Sequence, residues 1–313
     1  MSKFHSAHIP VPHTDGDDPR LGPLLAGGDL PEKDLRAVIL GFPSEEGVRR
    51  NGGRPGAAEA PDAIRLMLYR MTPDVESPGD HRHLLERTRD LGNFRLDGSL
   101  AQSQEAFGEV VAGYLRKGVV PVILGGGHET AFAHFSGYAT AGLHTAILNL
   151  DAHADVRPLK EGMPHSGSPF RQAVEHPSGT CDRYMVAGLQ PCAAAAAHIN
   201  YIREQGGRCL LREETNISSL PEFFHDHLSE RLMVTFDMDA VDQAFAPGVS
   251  APCANGLQPD LWLTAAYLAG RNEKVTSFDL SEVNPQFDRD GQTARLGALT
   301  VWHFLLGLSH RGR

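Results

Sequence analysis

The chain has 313 residues, 41% of them apolar, a formal net charge of -10 at pH 7 and no basic run longer than Arg49-Arg50. That length and apolar content suffice for one large domain or two ordinary ones, and the acidic balance excludes a nucleic-acid backbone or an anionic membrane surface as partner, since either calls for a basic face. The four cysteines lack C-x-x-C spacing, no apolar run is long enough to cross a bilayer, and the N-terminus M-S-K-F-H-S-A-H-I-P has no apolar leader core, so a disulfide scaffold and a membrane-embedded protein are excluded and a cytoplasmic protein with reduced thiols is expected.

Residues 1–35 are rich in Pro, Gly, Asp and His without a sustained period and are expected to form an irregular N-terminal arm in which His5, His8 and His13 are simply polar. From residue 36 the pattern alternates. A strand at Arg36–Gly41 leads into a glycine- and arginine-rich loop, Gly47–Gly56, and then a helix in which Pro61 suits the first turn and Ile64, Met67, Leu68 and Met71 keep helical spacing. A short strand near Asp90–Gly92 precedes a helix with the stripe Phe107, Val110, Val111, Tyr114 and Leu115. The apolar run Val119–Leu124 breaks into Gly125-Gly126-Gly127-His128-Glu129, where three glycines allow close backbone approach.

After a helical stretch, Thr145-Ala-Ile-Leu-Asn-Leu150 runs into Asp151, His153 and Asp155, followed by the loop Arg157–Ser168. Further alternation follows: a strand at Tyr184–Gly188, an Ala-rich helix from Ala193, a strand at Cys209–Leu211 and a helix near Pro221–Glu230. The strand Arg231–Phe236 ends in Asp237-Met238-Asp239, a helix spans Pro259–Ala269, the strand Lys274–Leu280 enters Ser281-Glu282, and a last helix covers Gln292–Leu308. About eight nearly continuous apolar strands separated by helices, with no repeat and no linker, predict a single three-layer α/β domain over 36–313, a parallel sheet with helices on both faces. Ligands of such sheets bind at the carboxyl ends of strands beside a topological switch point. His128, the Asp151 cluster, Asp237 with Asp239, and Glu282 all stand at strand ends.

On an extended chain, residues two apart project the same way, so Asp151, His153 and Asp155 are expected to converge, as are Asp237 and Asp239. Carboxylates and imidazoles aimed at one point repel and desolvate one another unless a cation lies between them. Four carboxylates and two imidazoles without a thiolate form a hard, oxygen-rich donor set, which suits Mn²⁺ ahead of Zn²⁺, Fe²⁺ or Co²⁺. Two divalent ions balance four carboxylate charges, and such a pair, typically roughly 3.5–4 Å apart, makes a nucleophile of water near neutral pH. Hydrolysis is the reaction class that follows.

The motifs G-G-G-H-E at 125–129, D-A-H-A-D at 151–155, F-D-M-D-A-V-D at 236–242 and E-V-N-P at 282–285 resemble the signature of the ureohydrolase family of arginases, agmatinases and formimidoylglutamases, over about residues 36–308. The resemblance implies an arginase-like fold and two Mn²⁺ per subunit. One ion would be held by His128, Asp151, Asp155 and Asp237, the other by Asp151, His153, Asp237 and Asp239, with Asp151 and Asp237 bridging. It further implies that Glu282 contacts the planar amidinium or guanidinium of the substrate, and that copies of the chain assemble into a homo-oligomer.

G-V-R-R-N-G-G-R-P-G-A and E-V-N-P-Q-F-D-R-D-G-Q-T-A-R-L most resemble the formimidoylglutamase branch, implying cleavage of the amidine C–N bond of N-formimidoyl-L-glutamate to glutamate and formamide. Arg157 falls where arginases place an Asn near the substrate carboxylate. An arginine there favours an anionic substrate through a bidentate pair and disfavours the free ammonium of agmatine. A brace for the loop is the alternative role, and Arg54 is likewise either a holder of the second carboxylate or part of the loop. In H-S-G-S-P-F, Ser166 replaces the His of the family's H-G pair, with His165 one residue earlier, so the proton donor to the leaving amine is either His165 or solvent. Two other functions are consistent with the fold: an agmatinase or guanidino-acid hydrolase releasing urea, and a binding protein without turnover, for which a damaged ligand set would be expected.

Overall fold

A computed structural model describes residues 3–5, 9–13, 17–26, 30–225 and 228–312. Among them, nine strands form one sheet: β1 (Phe4–His5), β2 (Ala37–Phe42), β3 (Thr88–Phe94), β4 (Val120–Gly125), β5 (Thr145–Leu150), β6 (Cys181–Leu189), β7 (Arg208–Leu211), β8 (Leu232–Asp237) and β9 (Val275–Ser281). The helices are α1 (Leu21–Ala26), α2 (Glu46–Asn51), α3 (Ala60–Leu68), α4 (Pro78–Glu86), α5 (Leu100–Leu115), α6 (Thr130–Ala141), α7 (Pro169–Val174), α8 (Ala196–Glu204), α9 (Ser219–His225), α10 (Pro259–Arg271) and α11 (Gln292–Ser309). None is long and apolar enough to cross a membrane.

Every residue of β2, β4, β5 and β8 is buried, as an apolar run covered on both faces requires. One face packs Ile64, Leu68, Phe236, Trp262, Phe278 and Phe304 into a core. The other packs Phe42, Phe107, Phe135, Ile147 and Phe170, which makes the expected three layers. Local signals set the helix ends: a capping box between Ser99 and Gln102 opens α5, and Gly142 in left-handed backbone closes α6.

The strand order is β1-β3-β2-β4-β9-β8-β5-β6-β7, parallel except for β1, which runs antiparallel to β3. The eight expected strands are β2 to β9. The ninth lies in the segment expected to be an irregular arm, as does α1, which buries Leu21 and Leu25 against the body. His8 lies outside the described residues. The stretch expected to be a loop from Gly47 begins inside α2, which ends at Gly52 in left-handed backbone. From β4 the chain crosses to β5, leaving places that β8 and β9 fill later. That crossover makes β4, β9, β8 and β5 neighbours, and they are the strands that carry the chemistry.

One buried histidine gives the fold an acid limit. His81 in α4 is fully buried, and its Nδ1 accepts the backbone N–H of Asp74 at 3.1 Å. Burial pushes its pKa down to about 4, against a smaller opposing pull from Asp74. The unfolded chain therefore takes up a proton near pH 6.5 that the folded chain refuses, so this contribution to stability is complete above about 6.5 and is lost as pH falls toward 4. His81→Gln is expected to flatten the stability profile between those limits by on the order of 3 kcal/mol. Urea unfolding of both proteins across that range reads it, and parallel profiles would contradict it.

Candidate metal centre

β5 ends at Leu150, so Asp151, His153 and Asp155 are not on an extended strand and do not converge by the alternation expected of one. Instead, the Asp151 carboxylate accepts the backbone N–H of His153 at 2.6 Å, a tight turn that carries the chain round while both side chains stay on one site. The same device recurs at the end of β8, where Asp237 accepts the N–H of Asp239 at 2.9 Å. Asp155 and Glu282 sit at φ 45° and 67°, in left-handed backbone that costs non-glycine residues on the order of 1 kcal/mol or more and is found where a side chain must be aimed. At the end of β4, a Cβ on Gly126 would lie 1.8 Å from the carbonyl oxygen of Ser44, so glycine is needed for the strand end to meet that loop.

All six expected side chains come together. His128 Nδ1 lies 3.0 Å from Asp237, 3.1 Å from Asp155 and 3.3 Å from Asp151. His153 Nδ1 lies 3.1 Å from Asp239 and 3.5 Å from Asp151. The potential ligand atoms fall into two groups, His128 with Asp151, Asp155 and Asp237, and His153 with Asp151 and Asp239. Asp151 is common to both, whereas Asp237 stands in the first alone.

The electrostatics are those of a site short of positive charge. Burial depresses the His128 imidazolium, yet the carboxylates of Asp237, Asp151 and Asp155 outweigh it and hold its pKa well above the ordinary value. Asp239 foremost does the same to His153. Burial, with Asp239 and Asp151 adding to it, pushes Asp237 well up, while the two imidazoles outweigh burial at Asp151 and hold it down. Glu282 is pushed up to about 8 by burial, then by Asp239 and Glu129. Asp239 Oδ1 is buried with no hydrogen-bond partner, a cost a native fold accepts where something else is meant to meet the atom. These residues fit a pair of hard divalent cations: carboxylate oxygens on both groups, one imidazole each, and an unmet oxygen aimed inward.

A cavity of about 300 Å³ opens onto the site. Asp155, Asp237, Asp239, His153 and Glu282 line it, and its wall includes Arg54, Arg157 and Ser166. Glu282 is fixed by the backbone N–H of His128, which its Oε1 accepts at 2.8 Å. The Arg157 guanidinium donates to Asn51 Oδ1 at 3.3 Å, and Asn51 Nδ2 donates to Ser166 Oγ at 3.1 Å. Asn51, at the end of α2, is a cavity residue that sequence reasoning missed, because nothing in its neighbourhood announces partners more than a hundred positions away. Arg54 is pinned to the carbonyl oxygens of Val249 and Ser250 and lies 4.1 Å above the Phe287 ring. His165 does not line the cavity: its Nε2 meets the Pro158 carbonyl at 3.1 Å and its Nδ1 accepts the Gly167 N–H at 3.1 Å, so the ring braces its own loop.

Comparison with known proteins gives a concordant result. The model of the Arginase family matches residues 35–307. The formimidoylglutamase of Rhodococcus opacus (strain B4) is 39% identical over 274 residues, covering 83% of this chain and 82% of the relative. That of Geobacillus thermodenitrificans (strain NG80-2) is 35% identical over 296 residues, 92% of this chain and 89% of the relative. The crystal structure of Trypanosoma cruzi formiminoglutamase with two Mn²⁺ superimposes with a TM-score of 0.86 at 32% identity, over 94% of this chain and 100% of that one.

Proposed function

The chain belongs to the arginase family, and on that premise we propose that it is a formimidoylglutamase, a hydrolase that cleaves the amidine C–N bond of N-formimidoyl-L-glutamate to L-glutamate and formamide. The observation that carries the choice of substrate is a cavity with an acid and a base on its wall: a buried carboxylate, Glu282, and the Arg157 guanidinium tied to Asn51. A molecule with a planar amidinium at one end and carboxylates at the other matches both. The relatives named formimidoylglutamase support the same choice.

In this proposal the centre would hold two Mn²⁺ ions, one on His128, Asp151, Asp155 and Asp237, the other on Asp151, His153 and Asp239. When bound, such a pair supplies Lewis acidity and an activated water for attack on the amidine carbon. The protein's own part is positional. Glu282, held by the His128 N–H, accepts N–H bonds from the amidinium, and a cation there favours the ionised carboxylate that burial alone disfavours. Arg157 takes a glutamyl carboxylate, with Asn51 and Ser166 setting its direction. His165 has no part in proton transfer here, and the departing nitrogen takes its proton from solvent. The Arg54 contacts with the Val249 and Ser250 carbonyls support a role as a brace between loops.

The division into an arm over 1–35 and a catalytic body from 36 is part of the same proposal, supported by the span of the family match. So is a reducing compartment such as the cytoplasm, consistent with four free cysteines, and assembly into a homo-oligomer by resemblance.

Incubating the purified Mn²⁺-loaded protein with N-formimidoyl-L-glutamate, agmatine and guanidino acids, and measuring formamide and urea, tests the choice. Formamide from the first substrate is expected, and urea without formamide would reject the proposal. Arg157→Ala is expected to raise KM for the glutamyl substrate about 10-fold or more, the worth of a charge-assisted pair, with metal content unchanged. Loss of metal instead would mean that Arg157 supports the centre and not the substrate.

A further inference from the structure

The strands that end in the candidate ligands carry a second polar row two residues earlier. Thr235 of β8 pairs in register with Asp279 of β9 on one side and with Asn149 of β5 on the other. Each stands one full side-chain period before a site residue or its neighbour: Asn149 before Asp151, Thr235 before Asp237, Asp279 before Ser281. All three are fully buried, where an unpaired polar group costs free energy. Two of them, Thr235 and Asn149, are hydrogen-bonded to candidate metal ligands.

His128 Nε2 lies 3.0 Å from Thr235 Oγ1. A threonine hydroxyl has one proton to give, and Thr235 gives it to Asp279 Oδ1 at 2.8 Å. The hydroxyl oxygen is therefore an acceptor toward His128, and the imidazole proton sits on Nε2. In the neutral ring the lone pair is then on Nδ1, the nitrogen that faces Asp151, Asp155 and Asp237. On its other side Asp279 Oδ2 meets His134 Nδ1 at 2.7 Å, and His134, fully buried in α6, reaches Ser277 Oγ with Nε2. Asp279 is thus a buried carboxylate with its own dedicated donors, one hydroxyl removed from a candidate ligand. Beside it, Asn149 Nδ2 donates to Asp151 Oδ2 at 2.9 Å.

We propose that Thr235 and Asp279 are positioning residues of the metal centre, which fix the tautomer and ring direction of His128 so that Nδ1 is presented to one of the two cations. This rests on the metal centre proposed above and on no assumption about the substrate. Partners of this kind, which orient a ligand and raise its basicity, typically change metal affinity by about 10–100-fold when removed.

The test is a titration of metal-stripped protein with Mn²⁺ against a competing chromophoric chelator, which resolves the two binding steps without any turnover. Thr235→Val keeps the side-chain shape and removes the hydroxyl. It is expected to weaken one of the two ions by about 10–100-fold and leave the other unchanged. Thr235→Ser, which restores the hydroxyl, is expected to recover wild-type binding. Should the valine variant not fold, Asp279→Asn reads the same chain from its other end, with the same selective loss expected. Wild-type affinity for both ions in Thr235→Val or Asp279→Asn, or a serine variant impaired alongside a normally folded valine one, would overturn the proposal. A wild-type protein that binds two Mn²⁺ but releases no formamide would overturn the substrate assignment alone.

Discussion

Asp237→Asn is expected to lower kcat/KM for N-formimidoyl-L-glutamate by at least about 10²–10³-fold, the scale on which a preorganised electrostatic partner counts in a dry site. The substitution is close to isosteric, and the asparagine carbonyl can still accept the Asp239 N–H that Asp237 now accepts at 2.9 Å, so the turn at the end of β8 survives. What disappears is one of the four negative charges facing His128 and His153, at a position 3.0 Å from the His128 ring. Metal content should fall with activity, because that charge is part of what offsets the dehydration of the ions. Kinetics and elemental analysis after gel filtration read both effects, and full activity with two ions bound would remove Asp237 from the ligand set.

Glu282→Gln separates substrate binding from metal binding. The glutamine carbonyl keeps the acceptor for the His128 N–H, now 2.8 Å from Glu282 Oε1, so local geometry is preserved while the charge goes. A neutral amide in place of a buried carboxylate forfeits the ion pair with the amidinium. We expect kcat/KM to fall about 10²-fold or more with both Mn²⁺ retained, since a charged hydrogen bond in a water-poor cavity is worth on the order of 3 kcal/mol. A variant that lost its metal and kept its turnover per ion would place Glu282 in the scaffold of His128, not on the substrate.

Much of this centre was legible because its residues stand close in sequence at strand ends. D-A-H-A-D and D-M-D each show the right donors at the right spacing, and the alternation of strands and helices places both at the same sheet edge. The cause inferred from that spacing was incomplete: the side chains converge through carboxylate-to-backbone turns and a left-handed Asp155, not through an extended strand. Asn51 was beyond reach, since its contacts with Arg157 and Ser166 depend on where α2 packs. Thr235, Asp279 and Asn149 did leave a trace, a polar residue two before Asp237, Ser281 and Asp151 respectively, inside buried strands. In the arm, the six-residue α1 is too short for periodicity to reveal, and only the burial of Leu21 and Leu25 against the body marks it.

The candidate ligand carboxylates stand at the ends of strands in the middle of the sheet, whereas the cavity wall that carries Arg157, the proposed partner of the substrate's far end, is built by the end of α2 and the segment around Arg157 to Ser166. In the proposed enzyme, reactivity and selectivity are thus entrusted to separate stretches of polypeptide, one central to the sheet and one peripheral. A lineage can exchange the peripheral stretch, and with it the molecule it consumes, while inheriting its bond-breaking apparatus intact; a protein engineer transplanting those two segments between homologues would be repeating that step.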